Sequence, residues 1–332
     1  MRSASSKPRN TVALFAGVSR KSERVIVPLN DSALNLNASR PALYCVHSIS
    51  GTVRTDLIDL AHQLEPVRFY GIQAPPKLIQ DVEFGETVES VADYYADALM
   101  NFQPRGLLIL GGYCAGAVIA LEMANNLRAR GRDVGFFFAI DGAPENTGGA
   151  ISHWRPRYWL ELARNLPGWF AHSDLMRNAS LKAWVHSVAK NLAGIARGAM
   201  GLNQGEKLGG GYTMDALMDL TPYPPAHRAF INRLFSALFR YFPKTYERDV
   251  VVYEAAITSL LYSPQYGRAW RMVAPQSEIV RITGTHIAMM HAPYVDELAN
   301  HMRMRIERVS SRISERGLHP VESSPGNEPF SQ

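Results

Sequence analysis

The chain has 332 residues, 46% of them hydrophobic and 20% charged, with a formal net charge of +5. That is enough apolar mass for one large α/β domain with insertions, or two modest domains. No run approaches the roughly eighteen apolar residues a membrane span requires, and no phosphate-binding glycine loop or strongly basic bias supports nucleotide or nucleic-acid binding. Two cysteines, Cys45 and Cys114, exclude a disulfide framework and point to a reducing, cytoplasmic setting, and no Cys/His cluster has metal-ligand spacing.

In chain order, residues 1–23 are basic with no acid before Glu23 and read as a disordered leader or linker. "RVIVPLN" from Arg24 and "PALYCVH" from Pro41 are β-rich runs, and "TDLIDLAHQL" from Thr55 has apolar residues at helical spacing. A strand "VRFYGIQAP" from Val67 and an amphipathic helix "TVESVADYYADALMNF" from Thr87 follow. The strand "LLIL" then runs into "GGYCAGA" and a helix reaching about Arg130. "DVGFFFAID" from Asp133 is almost wholly apolar, as a parallel strand covered on both faces should be.

Residues 150 to 245 break this rhythm with helical, aromatic-rich segments, and from Ile151 to Thr245 twelve Lys/Arg stand against five Asp/Glu. Such an insertion before the last strands reads as a helical lid. Strands resume with "RDVVVYEA" and "SEIVRITG", and the helix "PYVDELANHMRMRIERVSSRI" closes a domain spanning 24–316, with a Pro/Ser-rich flexible tail over 317–332. The alternation predicts an α/β fold, a mostly parallel, doubly wound sheet with a helical lid insertion.

Gly112-Tyr113-Cys114-Ala115-Gly116 fits the pattern Gly-x-nucleophile-x-Gly between a strand and a helix. A nucleophile there sits on a strained turn that admits only small neighbours two residues away, above the sheet and at a helix N-terminus. On the residues alone, Cys114 is also readable as a buried thiol. A nucleophilic cysteine needs a base and an orienting acid, expected in the order nucleophile, acid, histidine. Asp141 ends the strand from Asp133, where it is either that acid or a loop-capping residue. His286, on a Gly-containing loop after the last strand, is the candidate base. His291 is its rival, although "HAPYVDEL" suggests a helix start where it caps or packs. His47, at the end of "PALYCVH", is a candidate for lining the site, as is Tyr113. The amides of Ile49 and Ala115 are the candidate oxyanion donors, each able to contribute roughly 3 kcal/mol.

The stretches "PALYCVHSISG", "VRFYGIQAP", "GGYCAGAVIALEMANNLRARG", "FFFAIDGAP" and "ITGTHIAMMHAPYVDELA" resemble, in order and spacing, the thioesterase domains that end nonribosomal peptide and polyketide synthases. The resemblance covers about residues 24–310 and is weakest across the lid. It implies an α/β-hydrolase fold with a mobile helical lid, and a substrate delivered as an acyl thioester on the phosphopantetheine of an acyl or peptidyl carrier protein, with no bound cofactor. By position it matches Cys114 to the nucleophile, Asp141 to the acid, His286 to the base, and Ile49 and Ala115 to the oxyanion donors. Most members carry serine where this chain has Cys114. Carrier proteins are usually acidic, which would give the basic insertion a purpose; a merely solvated face explains it equally. Two other readings stay open: a dienelactone-hydrolase-like cysteine hydrolase of a small ester or lactone, and an inert carrier-docking module.

Overall fold

The computed structural model describes residues 24–34, 42–132, 134–144, 220–257 and 266–315. The leader over 1–23, the tail from 316 onward and the part of the expected lid between 145 and 219 lie outside them.

Seven strands form one sheet: β1 (Ile26–Pro28), β2 (Ala42–Val46), β3 (Arg68–Ile72), β4 (Leu108–Tyr113), β5 (Val134–Ile140), β6 (Val250–Ile257) and β7 (Glu278–Thr285). Their order is β1-β3-β2-β4-β5-β6-β7. Only β1 is antiparallel, pairing with β3; the other neighbours are parallel. Every residue of the central strands β2 and β4 is buried, as their unbroken apolar runs require.

The described helices are α1 (Arg54–Gln63), α2 (Pro76–Gln80), α3 (Val88–Phe102), α4 (Ala115–Ala129), α5 (Pro225–Arg240), α6 (Tyr266–Val273) and α7 (Val295–Glu315). One apolar layer joins a sheet face to α3, α4, α5 and α6 through Tyr95, Ile119, Phe230 and Trp270. A second joins the opposite face to α1 and α7 through Leu57, Phe138, Leu298 and Met302. Helix α3 buries Val88, Val91, Ala92, Tyr95, Ala96 and Leu99, one stripe at 3–4-residue spacing. Its N-terminus is capped by Thr87, whose Oγ1 accepts from the Ser90 N–H at 3.1 Å.

Helix α4 is buried on nearly every side. Even Glu122 is enclosed, its carboxylate accepting from the Tyr241 hydroxyl at 2.8 Å and from the Lys244 ammonium at 3.1 Å. Helix α5, the C-terminal helix of the expected lid segment, is a core element: Phe230, Ile231 and Leu234 are fully buried. The wide parallel sheet brings the ends of β2, β4, β5 and β7 to one edge, where α/β sheets place their sites.

Candidate active site

Strand β4 ends at Tyr113 and α4 begins at Ala115, so Cys114 must turn the chain in one residue. It does so at φ 57°, ψ −124°, a conformation that costs about 1–3 kcal/mol for a residue with a Cβ and persists only where its surroundings hold it. The Cys114 N–H donates to the Ile140 carbonyl at 2.8 Å, and its carbonyl accepts from the Ala117 N–H at 3.1 Å. The flanking glycines are steric requirements. A Cβ on Gly112 would stand 2.1 Å from the Gly116 carbonyl, and one on Gly116 would stand 2.3 Å from the His47 carbonyl. The Cys114 side chain is left partly exposed at the helix N-terminus. There the amide of Ala115, at the start of the helix, has no intrahelical acceptor and favours negative charge.

Asp141 follows β5 directly. It too has a left-handed backbone, φ 44°, and it is pinned by its N–H donating to the Tyr253 carbonyl at 2.8 Å. Oδ1 accepts from the Ala255 N–H at 2.8 Å and Oδ2 meets His286 Nδ1 at 2.6 Å. Only 5% of the residue is exposed. These contacts leave the carboxylate one useful orientation, with the His286 Nδ1–H donating to it. The His286 ring also interacts with Cys114. Burial disfavours the charged His286 ring, but the Cys114 thiolate and the Asp141 carboxylate outweigh it and raise its pKa well above the usual histidine value.

Tyr113 completes this cluster from beneath. It is buried, so it does not line an open site. Its ring stacks on His286 with centroids 4.9 Å apart and planes 22° apart, and its hydroxyl donates to the His286 carbonyl at 2.8 Å. The residue before the thiol therefore grips both the ring and the backbone of the residue that faces it.

The two candidate histidines after β7 part company. His286 meets Asp141 and Cys114, whereas His291 Nδ1 pairs with Asp59 Oδ2 at 2.9 Å and ties the turn beyond His286 to α1. His47 is 0% exposed, with Nδ1 engaged by the Ser48 carbonyl and Nε2 at 2.7 Å from the Tyr95 hydroxyl. Burial pulls its pKa down to about 4, against a small opposing effect of the Ser48 carbonyl, so the ring is neutral at physiological pH.

Ile49 lies second in a tight turn closed by the Gly51 N–H donating to the Ser48 carbonyl at 3.1 Å. Nearby amides are spoken for: His47 donates to the Ile72 carbonyl at 3.0 Å, and Ser50 to Ser48 Oγ at 3.3 Å. The Ile49 N–H has no acceptor among the described residues. Nor does any group of three or more His, Cys, Asp or Glu among them have a metal-binding arrangement.

Two contributors escape a reading of the sequence. A Cβ on Gly142 would stand 1.9 Å from the Cys114 carbonyl, so the acid's loop and the thiol's turn touch backbone to backbone. Trp270 holds that loop in place, its Nε1–H donating to the Gly142 carbonyl at 2.8 Å. The Asp-Gly pair at a strand end is the one local signal that marks the crowding.

A family model for the thioesterase domain matches residues 41–162. Non-reducing polyketide synthase Dhc5 of Alternaria cinerariae is 35% identical over 108 residues, which are 31% of this chain and 5% of that one. Enterobactin synthase component F of Escherichia coli O157:H7 is 32% identical over 108 residues, 32% of this chain and 8% of its own length. Microperfuranone synthase of Emericella nidulans is 28% identical over 156 residues, 46% of this chain and 16% of that one. The chain thus spans 16% or less of these relatives. Among solved structures, the NocB thioesterase domain from the nocardicin cluster superposes with a TM-score of 0.53 at 17% identity, covering 85% of this chain and 99% of that one. The surfactin-cyclising thioesterase domain SrfTE gives 0.50 at 15% identity, over 86% of this chain and 97% of that one; at such identities the likeness is one of fold. Residues 41–162 thus match the thioesterase-domain model and are similar to stretches of these synthases, and the α/β fold is like that of solved thioesterase domains.

Proposed function

We propose that this protein is an acyl-transfer enzyme of the thioesterase type, with Cys114 as nucleophile, His286 as general base and acid, and Asp141 as the group that orients and charges His286. The observation that carries this reading is the His286 ring held by Asp141 Oδ2 at 2.6 Å and interacting with Cys114, which stands on a strained strand-to-helix turn. The incoming substrate is an acyl chain held as a thioester on the phosphopantetheine of a carrier protein.

His286 takes the proton of the Cys114 thiol as the sulfur attacks the thioester carbonyl carbon, and the carbonyl oxygen takes up the displaced electron pair as an oxyanion. The amides of Ile49 and Ala115 receive that charge. When the tetrahedral species collapses, the carbon–sulfur bond to the pantetheine arm breaks and the departing thiolate takes the proton from His286. The acyl chain is then a thioester of Cys114. His286, neutral again, removes the proton from a second nucleophile, which attacks the same carbon and expels the Cys114 thiolate. That nucleophile is water, an internal hydroxyl closing a lactone, or an amine. Transfer from one thioester to another keeps the acyl group activated, whereas a serine would lower it to an oxygen ester. Sulfur at position 114 thus suits an acceptor that needs an activated acyl group.

The test is discharge of an acyl chain from a loaded carrier protein, followed by mass spectrometry of the carrier. Wild type should empty the carrier, while Cys114→Ala and His286→Ala leave it loaded. A Cys114→Ala protein that discharges at the wild-type rate would exclude Cys114 as nucleophile.

A further inference from the structure

Helix α5 meets the turn that bears Ile49 through a polar contact: His227 Nε2 lies 2.6 Å from the Ser50 carbonyl. Because a carbonyl can only accept, Nε2 carries the proton, and the contact specifies one tautomer of a neutral ring. His227 is 8% exposed and Ser50 5%. The ring is set between Tyr223 and Phe230, at centroid distances of 4.9 and 6.3 Å. Burial lowers its pKa, so the ring stays neutral and the tautomer is kept at physiological pH.

The Ser50 carbonyl and the Gly51 N–H belong to one planar peptide unit. Its N–H end closes the turn onto the Ser48 carbonyl at 3.1 Å, and its C=O end is the one His227 holds. With both ends fixed, the plane cannot rotate, and the turn that presents the Ile49 N–H keeps its orientation. Phe230, one helical turn on from His227, closes the other side: a Cβ on Gly51 would stand 2.6 Å from its ring. The remaining polar groups are tied internally, Ser48 Oγ to Asp56 Oδ2 at 2.5 Å and Ser50 Oγ to Thr52 Oγ1 at 3.0 Å. Among the described residues, every other polar tether of the turn comes from residues 48–74. His227 is the contact that arrives from a helix 177 positions away.

We infer that His227 is a positioning residue for the oxyanion-binding turn, acting through the Ser50–Gly51 peptide to aim the Ile49 amide at the carbonyl oxygen of the substrate. The inference rests on the proposed roles of Cys114 and Ile49. It separates two reactions of the same sulfur. Acylation by a thioester develops an oxyanion and needs the turn. Alkylation by iodoacetamide develops none and needs only the Cys114–His286 pair.

The experiment measures both rates at Cys114, by intact mass and peptide mapping, using an acyl-pantetheine thioester and iodoacetamide on wild type, His227→Phe and His227→Gln. Glutamine places an amide N–H near the position of Nε2, and phenylalanine fills the space without a donor. Acylation should fall roughly tenfold in His227→Phe, the scale of a misaimed oxyanion donor, with alkylation unchanged and acylation largely restored in His227→Gln. Acylation of His227→Phe at the wild-type rate overturns the inference, and so does an equal fall in both reactions, which marks general disruption. A wild-type protein that alkylates at Cys114 but is never acylated there fails the underlying functional reading instead.

Discussion

Gly142→Ala is the most demanding substitution this structure offers, because it alters neither charge nor any hydrogen-bonding group. The added Cβ would stand 1.9 Å from the Cys114 carbonyl oxygen, 2.7 Å from its carbonyl carbon and 3.0 Å from its Cα. All three are backbone atoms of the strained turn, so no side-chain rotation relieves the clash. Restoring an ordinary contact near 3.2–3.4 Å requires the turn at Cys114 and the loop at Asp141 to separate by roughly 1 Å, a displacement of the kind that costs about a hundredfold in rate when it misaligns reacting groups. The overpacking itself should cost about 1–3 kcal/mol of stability. The assay is single-turnover acylation of Cys114 by an acyl-pantetheine thioester, with thermal melting alongside. Acylation should fall about a hundredfold in a protein that still folds. A Gly142→Ala protein that acylates within threefold of wild type would refute the claim that backbone contact between the two loops sets the alignment.

Three further outcomes follow from the geometry. Tyr113→Phe keeps the ring stack on His286 but loses the hydroxyl that donates to its carbonyl; acylation should drop several-fold while binding of the thioester is unchanged, a split visible in saturation kinetics. In Cys114→Ala the His286 pKa, followed by NMR of the imidazole, should fall below its wild-type value because the thiolate that raises it is gone; an unchanged value would contradict the pairing of the two side chains. His47 is held neutral in the fold down to about pH 4 but takes its proton near pH 6.5 when unfolded. The unfolded state therefore binds the extra proton between those values, and stability falls as pH drops through that window, by about 3 kcal/mol from this group. Chemical denaturation of wild type and His47→Gln at pH 7 and pH 4 should show a smaller acid loss in the variant.

Much of the architecture was legible because parallel strands buried on both faces must be continuously apolar, as "ALYCV" and "FFFAI" are, and amphipathic helices repeat every three to four residues. Helices α2 and α6, five and eight residues long, are too short to show that period and went unread. The strand-glycine-glycine-helix context located Cys114, because a turn made in one residue excludes larger neighbours. Asp141 and His286 were legible as strand-end residues in the required order, and the fold brings them within 2.6 Å across 145 positions. The supports were not. Tyr113 reaches the His286 carbonyl across 173 positions and Trp270 reaches the Gly142 carbonyl across 128, and no local pattern encodes such pairings. The partners of His47, Tyr95 and the Ser48 carbonyl, are likewise invisible in the local pattern of a polar residue at a strand end.

The central claim is that the acyl group passes through Cys114. Intact-protein mass spectrometry after brief exposure to acyl-pantetheine thioesters measures this directly. The account predicts a mass increase equal to the acyl group, mapped to the peptide containing Cys114 and absent from Cys114→Ala. An adduct of the same size on Cys114→Ala, or turnover of the thioester by that variant at the wild-type rate, would contradict it.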